Sequence, residues 1–142
     1  MNAGSRNEKT YVLDASAILD FVNAGTGAHR LRELLRESVR QDIPLLMSVV
    51  NWGEVFYVLW QRRGEEVARR AIENLSRLSI QPVSVDLEQS LKAGEIKTRH
   101  KIPYVDCLAA ALAETRQAVL VTSDRDFEKL GRRVPILWLT RP

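Results

Sequence analysis

The sequence predicts an α/β domain in which a parallel sheet of about five strands lies between two layers of helices. Three observations lead there. Short apolar runs at 10–14 and 118–122 are continuous rather than alternating, the pattern of strands covered on both faces. Segments with apolar residues three and four apart separate these runs, so strands and helices take turns along the chain, as parallel crossovers require. Both runs also end in carboxylate and hydroxyl residues, as Leu13-Asp14-Ala15-Ser16 and Val121-Thr122-Ser123-Asp124. Ligands of open parallel sheets bind beyond the C-terminal strand ends, which is where Asp14 and Asp124 fall.

Taken in order, residues 10–14 read as the first strand. Ser16 is placed to N-cap the helix that follows, with Ile18, Leu19 and Val22 as its apolar stripe. After a loop at 23–27, a second helix carries Leu31, Leu34, Leu35 and Val39 inward and Arg32, Arg36 and Arg40 on another face. Residues 44–48 make a short second strand. A helix over 49–61 is closed near Arg63 and Gly64, and the next, about 65–78, has Val67, Ala71, Ile72, Leu75 and Leu78 at helical spacing. Residues 80–85 form the third strand. Asp86 caps a helix through Leu87, Leu91 and Ile96, and Pro103 suits the first turn of another that runs to about Thr115. A strand at 119–122, a short helix at 125–130 and a last strand at 135–139 complete the chain.

The length of 142 residues fits one domain, taken as 10–142, with 1–9 as a disordered or cloning-derived tail. That tail lacks the apolar stretch of a secretory leader, and no run is long enough to cross a bilayer. The single cysteine, Cys107, excludes an internal disulfide and points to a reducing, cytoplasmic setting; mid-helix and apolar in context, it reads as buried and structural. The two histidines, His29 and His100, lack zinc-type spacing. A net charge of +3 permits a polyanionic partner, the more so if several acids are neutralised by metal.

Chemistry centres on four acids. Asp14 and Asp124, taken singly, could be helix caps or turn residues. Glu54 and Asp106 resist that reading, because each is the only charge in a strongly apolar helical stretch, 49–60 and 104–113. A partly buried carboxylate there costs several kcal/mol unless it is paired, and neither stretch holds a Lys or Arg. Paired with one another the acids repel, whereas a shared cation satisfies all four. Oxygen ligands without His or Cys favour Mg²⁺ or Mn²⁺ over zinc. Other chemistries fit less well. Gly25-Thr26-Gly27 is a weak dinucleotide signal, no phosphate-binding loop is present, and an aspartyl-phosphate enzyme finds Ser16 where a second Asp belongs, with Lys101 its sole attractive lysine.

Leu13-Asp14-Ala15-Ser16-Ala17, Glu54 in the helix after the second strand, Pro103-Tyr104-Val105-Asp106-Cys107-Leu108-Ala109-Ala110-Ala111 and Val121-Thr122-Ser123-Asp124-Arg125-Asp126-Phe127 together resemble the PIN-domain ribonucleases, most nearly the VapC-type toxins of toxin–antitoxin pairs. The resemblance spans about residues 10–139. It implies a PIN-like three-layer α/β/α sandwich and RNA cleavage dependent on Mg²⁺ or Mn²⁺, with Asp14, Glu54, Asp106 and Asp124 as catalytic and metal-binding acids. It further implies that Ser16, Thr122 or Ser123 support the site, with Asp126 assisting. Activated water would attack phosphorus in line, leaving a 5′ phosphate and a 3′ hydroxyl. The implied partners are an RNA substrate, a VapB-type antitoxin and a second copy of the chain. Trp52 and Gly53 beside Glu54 depart from the family's usual pattern.

Weaker signals complete the reading. Arg99, Lys101 and Arg125 flank the acids in sequence and are candidate phosphate contacts. Arg32, Arg36 and Arg40 interleave with Glu33 and Glu37 and read as a solvated face. Trp52, Phe56 and Trp60 read as core packing or, more sharply, as a dimer or antitoxin surface. The competing functional class is a non-catalytic nucleic-acid or protein-binding module on the same fold, which would cleave no RNA with any metal.

Overall fold

The structure, a computed structural model, describes residues 8–141; positions 1–7 of the expected tail lie outside the described residues. Five short strands, β1 (Tyr11–Leu13), β2 (Leu45–Ser48), β3 (Ile80–Val83), β4 (Val119–Thr122) and β5 (Ile136–Trp138), form one sheet in the order β3-β2-β1-β4-β5, with every pairing parallel. The helices are α1 (Ala15–Val22), α2 (Ala28–Gln41), α3 (Val49–Arg63), α4 (Glu65–Leu75), α5 (Leu87–Arg99) and α6 (Tyr104–Thr115), with a 3-10 turn at Arg125–Leu130. The predicted parallel sheet between two helical layers is therefore what forms.

Alternation along the strands divides the core in two. Val12, Leu46 and Leu120 pack with α5, α6 and Phe127 on one face, while Leu13, Leu45, Met47 and Val121 pack with α1 to α4 on the other. Because successive strand residues point to opposite faces, both sets must be apolar, which is why the strands read as unbroken runs. Five consecutive alanine and leucine positions of α6, Ala109 to Ala113, are wholly buried. Their small side chains let α6 lie close against the sheet centre. Phe127 anchors the 3-10 turn into the same core with no exposed surface. Phe127→Ala is expected to cost about 3–5 kcal/mol of stability, read from urea denaturation, by leaving a cavity between the turn and α6.

Several boundaries and faces differ from the sequence reading. Asp14, not Ser16, N-caps α1, since its carboxylate accepts from the Ala17 amide and the helix starts at Ala15. α4 stops at Leu75, leaving Leu78 on the surface, and β3 ends at Val83. Val39 is 69% exposed, and Leu87 and Leu91 on α5 are 74% and 66% exposed, so their helical spacing does not mark a covered face. Gly25 and Gly27 shape the turn between α1 and α2. They let the chain fold onto Asp20, whose side chain accepts from the Gly27 amide at 2.8 Å, and a Cβ at either glycine would collide with it. Trp52 and Phe56 pack half-buried against the core, while Trp60 meets Phe56 edge-on at 5.5 Å with Arg69 over both rings. Among the described residues, no helix is long and apolar enough to cross a membrane.

Candidate functional site

The strand order reverses between β1 and β4, and ligands of open parallel sheets bind beyond the C-terminal strand ends at such a switch point. Asp14 follows β1 directly and Asp124 lies two residues past β4. Helices α3 and α6 start at this same edge, because crossover helices run back against the strands. Their first and second turns hold Asn51, Glu54 and Asp106. Topology thus gathers acids separated by up to 110 residues of sequence.

Asp14 is 2% exposed and firmly held. Its Oδ1 accepts from the Ala17 amide at 2.9 Å, its Oδ2 accepts from the Thr122 hydroxyl at 2.6 Å, and the Ser16 hydroxyl lies 2.8 and 2.9 Å from the two oxygens. Both hydroxyls do double duty. Ser16 Oγ accepts from the Ser123 amide at 3.0 Å, and Thr122 Oγ1 accepts from the Asp124 amide at 2.9 Å. The hydroxyls therefore tie the corner after β1 to the corner after β4, with Asp14 at the knot. Asp124 in turn accepts from the Asp126 amide at 2.9 Å and caps the 3-10 turn. Its role as a cap and its place in the acidic group are compatible, since one carboxylate has two oxygens.

The acids act on each other's protonation. Burial pushes the Asp14 carboxyl up to about 6 against the pull of Thr122, Ala17 and Ser16, and Asp124 adds repulsion. Asp106, 8% exposed, is pushed up to about 7, first by burial and then by Asp124, Asp14, Glu54 and Asp126. Glu54 is raised by burial and by Asp124, with Asn51 opposing. No lysine or arginine is among the largest influences on Asp14 or Asp106, so the phospho-aspartyl reading, which needed Lys101 at Asp14, gains no support. Carboxylates raised by burial and by one another make this edge of the sheet the candidate functional site.

The donor set suits a hard cation. It is all oxygen, and Glu54 Oε1 is buried with no hydrogen-bond partner among the described residues. Among the described residues, no three acidic, histidine or cysteine side chains already surround a common point. Asp14 is turned toward its hydroxyl partners, Ser16 and Thr122. Asp14, Asp106, Asp124 and Glu54 offer only oxygen donors, the ligand type that magnesium and manganese take.

The flanking candidates fare unevenly. Arg99 is paired to Glu95 at 2.8 Å on α5, away from the acids in its bonding. Arg125 stacks 4.2 Å over Trp138 and donates to the Thr140 carbonyl at 2.6 Å, strapping the end of β5 to the 3-10 turn. Lys101 is exposed and its carbonyl accepts from Lys129. Arg40 pairs with Glu37 and Arg32 covers the Phe21 ring, as a solvated face does. Cys107 is buried against the Ile102 carbonyl and its thiol is pushed up by burial, which makes it inert. Sequence reasoning passed over Asn51, wholly buried one helical turn before Glu54. Its signal was a lone amide in an apolar stretch.

A family model of the PIN domain matches residues 11–133. The chain belongs to the PIN domain family. No curated protein matches the sequence. Among solved structures, this PIN domain is similar to DNA-bound VapBC from Salmonella typhimurium, at 18% identity and TM-score 0.74, over 94% of this chain and 100% of that one. It is similar to Mycobacterium tuberculosis VapC20, a sarcin–ricin loop cleaving toxin, at 21% identity and TM-score 0.71, over 94% and 100%. VapBC-5 of the same organism, a member of the VapBC family of toxin–antitoxin systems, aligns at 19% identity and TM-score 0.64, over 92% and 99%. At these identities the likeness is one of fold.

Proposed function

We propose that this PIN domain is a metal-dependent endoribonuclease that acts as the toxin of a type II toxin–antitoxin pair. The observation that carries the catalytic reading is the mutual repulsion of Asp14, Glu54, Asp106 and Asp124 at the switch point, with Asp106 pushed up to about 7. A fold could shed that cost by replacing the acids with amides, so their joint presence calls for a ligand that uses the charge.

Magnesium or manganese, when bound, supplies charge neutralisation for a phosphodiester and a more acidic water. The chain's own part is placement. Ser16 and Thr122 fix the Asp14 carboxylate, Asp106 presents its own from the first turn of α6, and Glu54 from the second turn of α3. Asp124 and Asp126, on the 3-10 turn, complete the acidic wall. The phosphate backbone is then approached from solvent, where Lys101 is the exposed cation of the connector before α6.

The toxin assignment draws support from the fold's company, which includes a toxin that cleaves the sarcin–ricin loop and a member of a toxin–antitoxin family. On this reading the partner is a VapB-type antitoxin, the active form a homodimer, and the compartment cytoplasmic. The test is RNA cleavage by the purified chain with Mn²⁺ or Mg²⁺ against the same reaction in EDTA. Products with 5′ phosphates are expected, and Asp14→Asn should lose about 10²-fold or more in rate while keeping its circular dichroism. Undiminished turnover by Asp14→Asn, or cleavage that survives EDTA, would overturn the proposal.

A further inference from the structure

Asn51 lies in the first turn of α3, directly after Ser48, whose hydroxyl caps that helix through the Val50 amide. Extending the β1–β2 register, in which Val12 faces Leu46, sets Ser48 beside Asp14. Asn51 therefore stands at the acidic edge of the sheet. It has no exposed surface, yet neither its amide nitrogen nor its amide oxygen has a hydrogen-bond partner among the described residues. One turn further along the same face, Glu54 Oε1 is likewise buried and unpartnered. Positions three apart on a helix are neighbours, which places the Asn51 amide beside the Glu54 carboxylate.

A buried amide with both ends idle is a steep cost that a leucine or valine would remove. Folds keep such groups where a bound ligand completes their bonding. We propose that Asn51 is a positioning residue of the acidic site: when a divalent cation binds, its now idle side-chain amide donates to Glu54 and orients that carboxylate toward the ion. This rests on the acidic group being a cation site. The chemistry is that of an outer-shell partner, which orients a ligand without touching the ion. Asn supplies it without adding charge where four acids already repel.

A structural asparagine and a positioning asparagine give opposite results when replaced by leucine, which keeps the branched shape and removes the polar atoms. The full chain is titrated with MnCl2 by calorimetry, and its melting temperature is read in EDTA. For Asn51→Leu, a melting temperature equal to or above wild type is expected, together with Mn²⁺ affinity weakened by about tenfold or more. Asn51→Ala guards against poor accommodation of the larger side chain and should show the same loss of affinity. Wild-type Mn²⁺ affinity in a folded Asn51→Leu or Asn51→Ala protein would overturn the positioning role and leave the cation site standing. Absence of Mn²⁺ binding by the wild-type chain would overturn both. Melting several degrees lower in EDTA for both variants, with Mn²⁺ affinity intact, would mark Asn51 as structural.

Discussion

Asp106→Asn is expected to melt higher than the parent protein in the absence of metal while losing RNA cleavage altogether. The two effects have one cause. Asp106 is nearly buried, and four other acids raise it on top of its own desolvation. At pH 8 its carboxyl must be ionised despite a preference for the proton up to about 7, against an ordinary value of 3.8. Conversion at about 1.4 kcal/mol per pH unit gives a burden on the order of 2–4 kcal/mol, an upper figure because neighbouring side chains relax. Asparagine keeps the shape and sheds the charge, so the metal-free variant should gain several degrees. Mn²⁺, which should raise the parent's melting temperature by binding only the folded state, should do little for the variant. Differential scanning fluorimetry in EDTA and in Mn²⁺, beside a cleavage assay, reads all three. A variant that melts lower than its parent in EDTA would show that the carboxylate is a net structural bond, and the account of the acidic group would fall with it.

That trade between stability and charge explains what was legible before any coordinates. Glu54 and Asp106 stood out because a single charge in an apolar helical stretch has few innocent uses. Asp14 and Asp124 stood out because parallel sheets present their C-terminal ends to ligands. The sheet itself was legible because strands covered on both faces cannot alternate. What failed was anything that depended on which faces meet. Leu87 and Leu91 have the spacing of a buried stripe, yet α5 presents them to solvent and buries Ala93 and Ile96 instead. Periodicity reports that one face is apolar, not that something covers it. Ser16 and Asp14 were both competent caps. The carboxylate won because its oxygen reaches the Ala17 amide, which freed the serine hydroxyl to hold Asp14 and the Ser123 amide together. Asn51 escaped notice because a neutral amide raises no alarm in a sequence. Only the absence of bonding partners in three dimensions makes it conspicuous.

The same electrostatics set an unusual pH dependence for the metal-free protein. Its melting temperature is expected to fall as pH rises from about 5 to 7.5, a range in which ordinary carboxylates have finished titrating. Asp14 and Asp106 in the folded chain hold protons up to about 6 and 7, whereas in the unfolded chain they release them near 3.8. Across that window the folded state binds more protons than the unfolded one, so stability declines with pH. The cost is absent below the unfolded value and complete above the folded one. Glu54, raised by burial, adds in the same direction. Glu95 works the other way, since the Arg133 guanidinium holds its carboxyl well below the usual range, but its contribution is lost only as pH drops below the ordinary glutamate value of 4.5. The two trends therefore place the metal-free stability maximum on the acid side of neutrality. Saturating Mn²⁺ should abolish the decline, because a cation repays at pH 7.5 what the protons supplied at pH 5. Asp106→Asn should flatten it in part, leaving the smaller slope of Asp14. Calorimetric scans in EDTA at half-unit steps distinguish these cases. A melting temperature that climbs steadily from pH 5 to 7.5 without metal would mean that the acids do not share a field in solution.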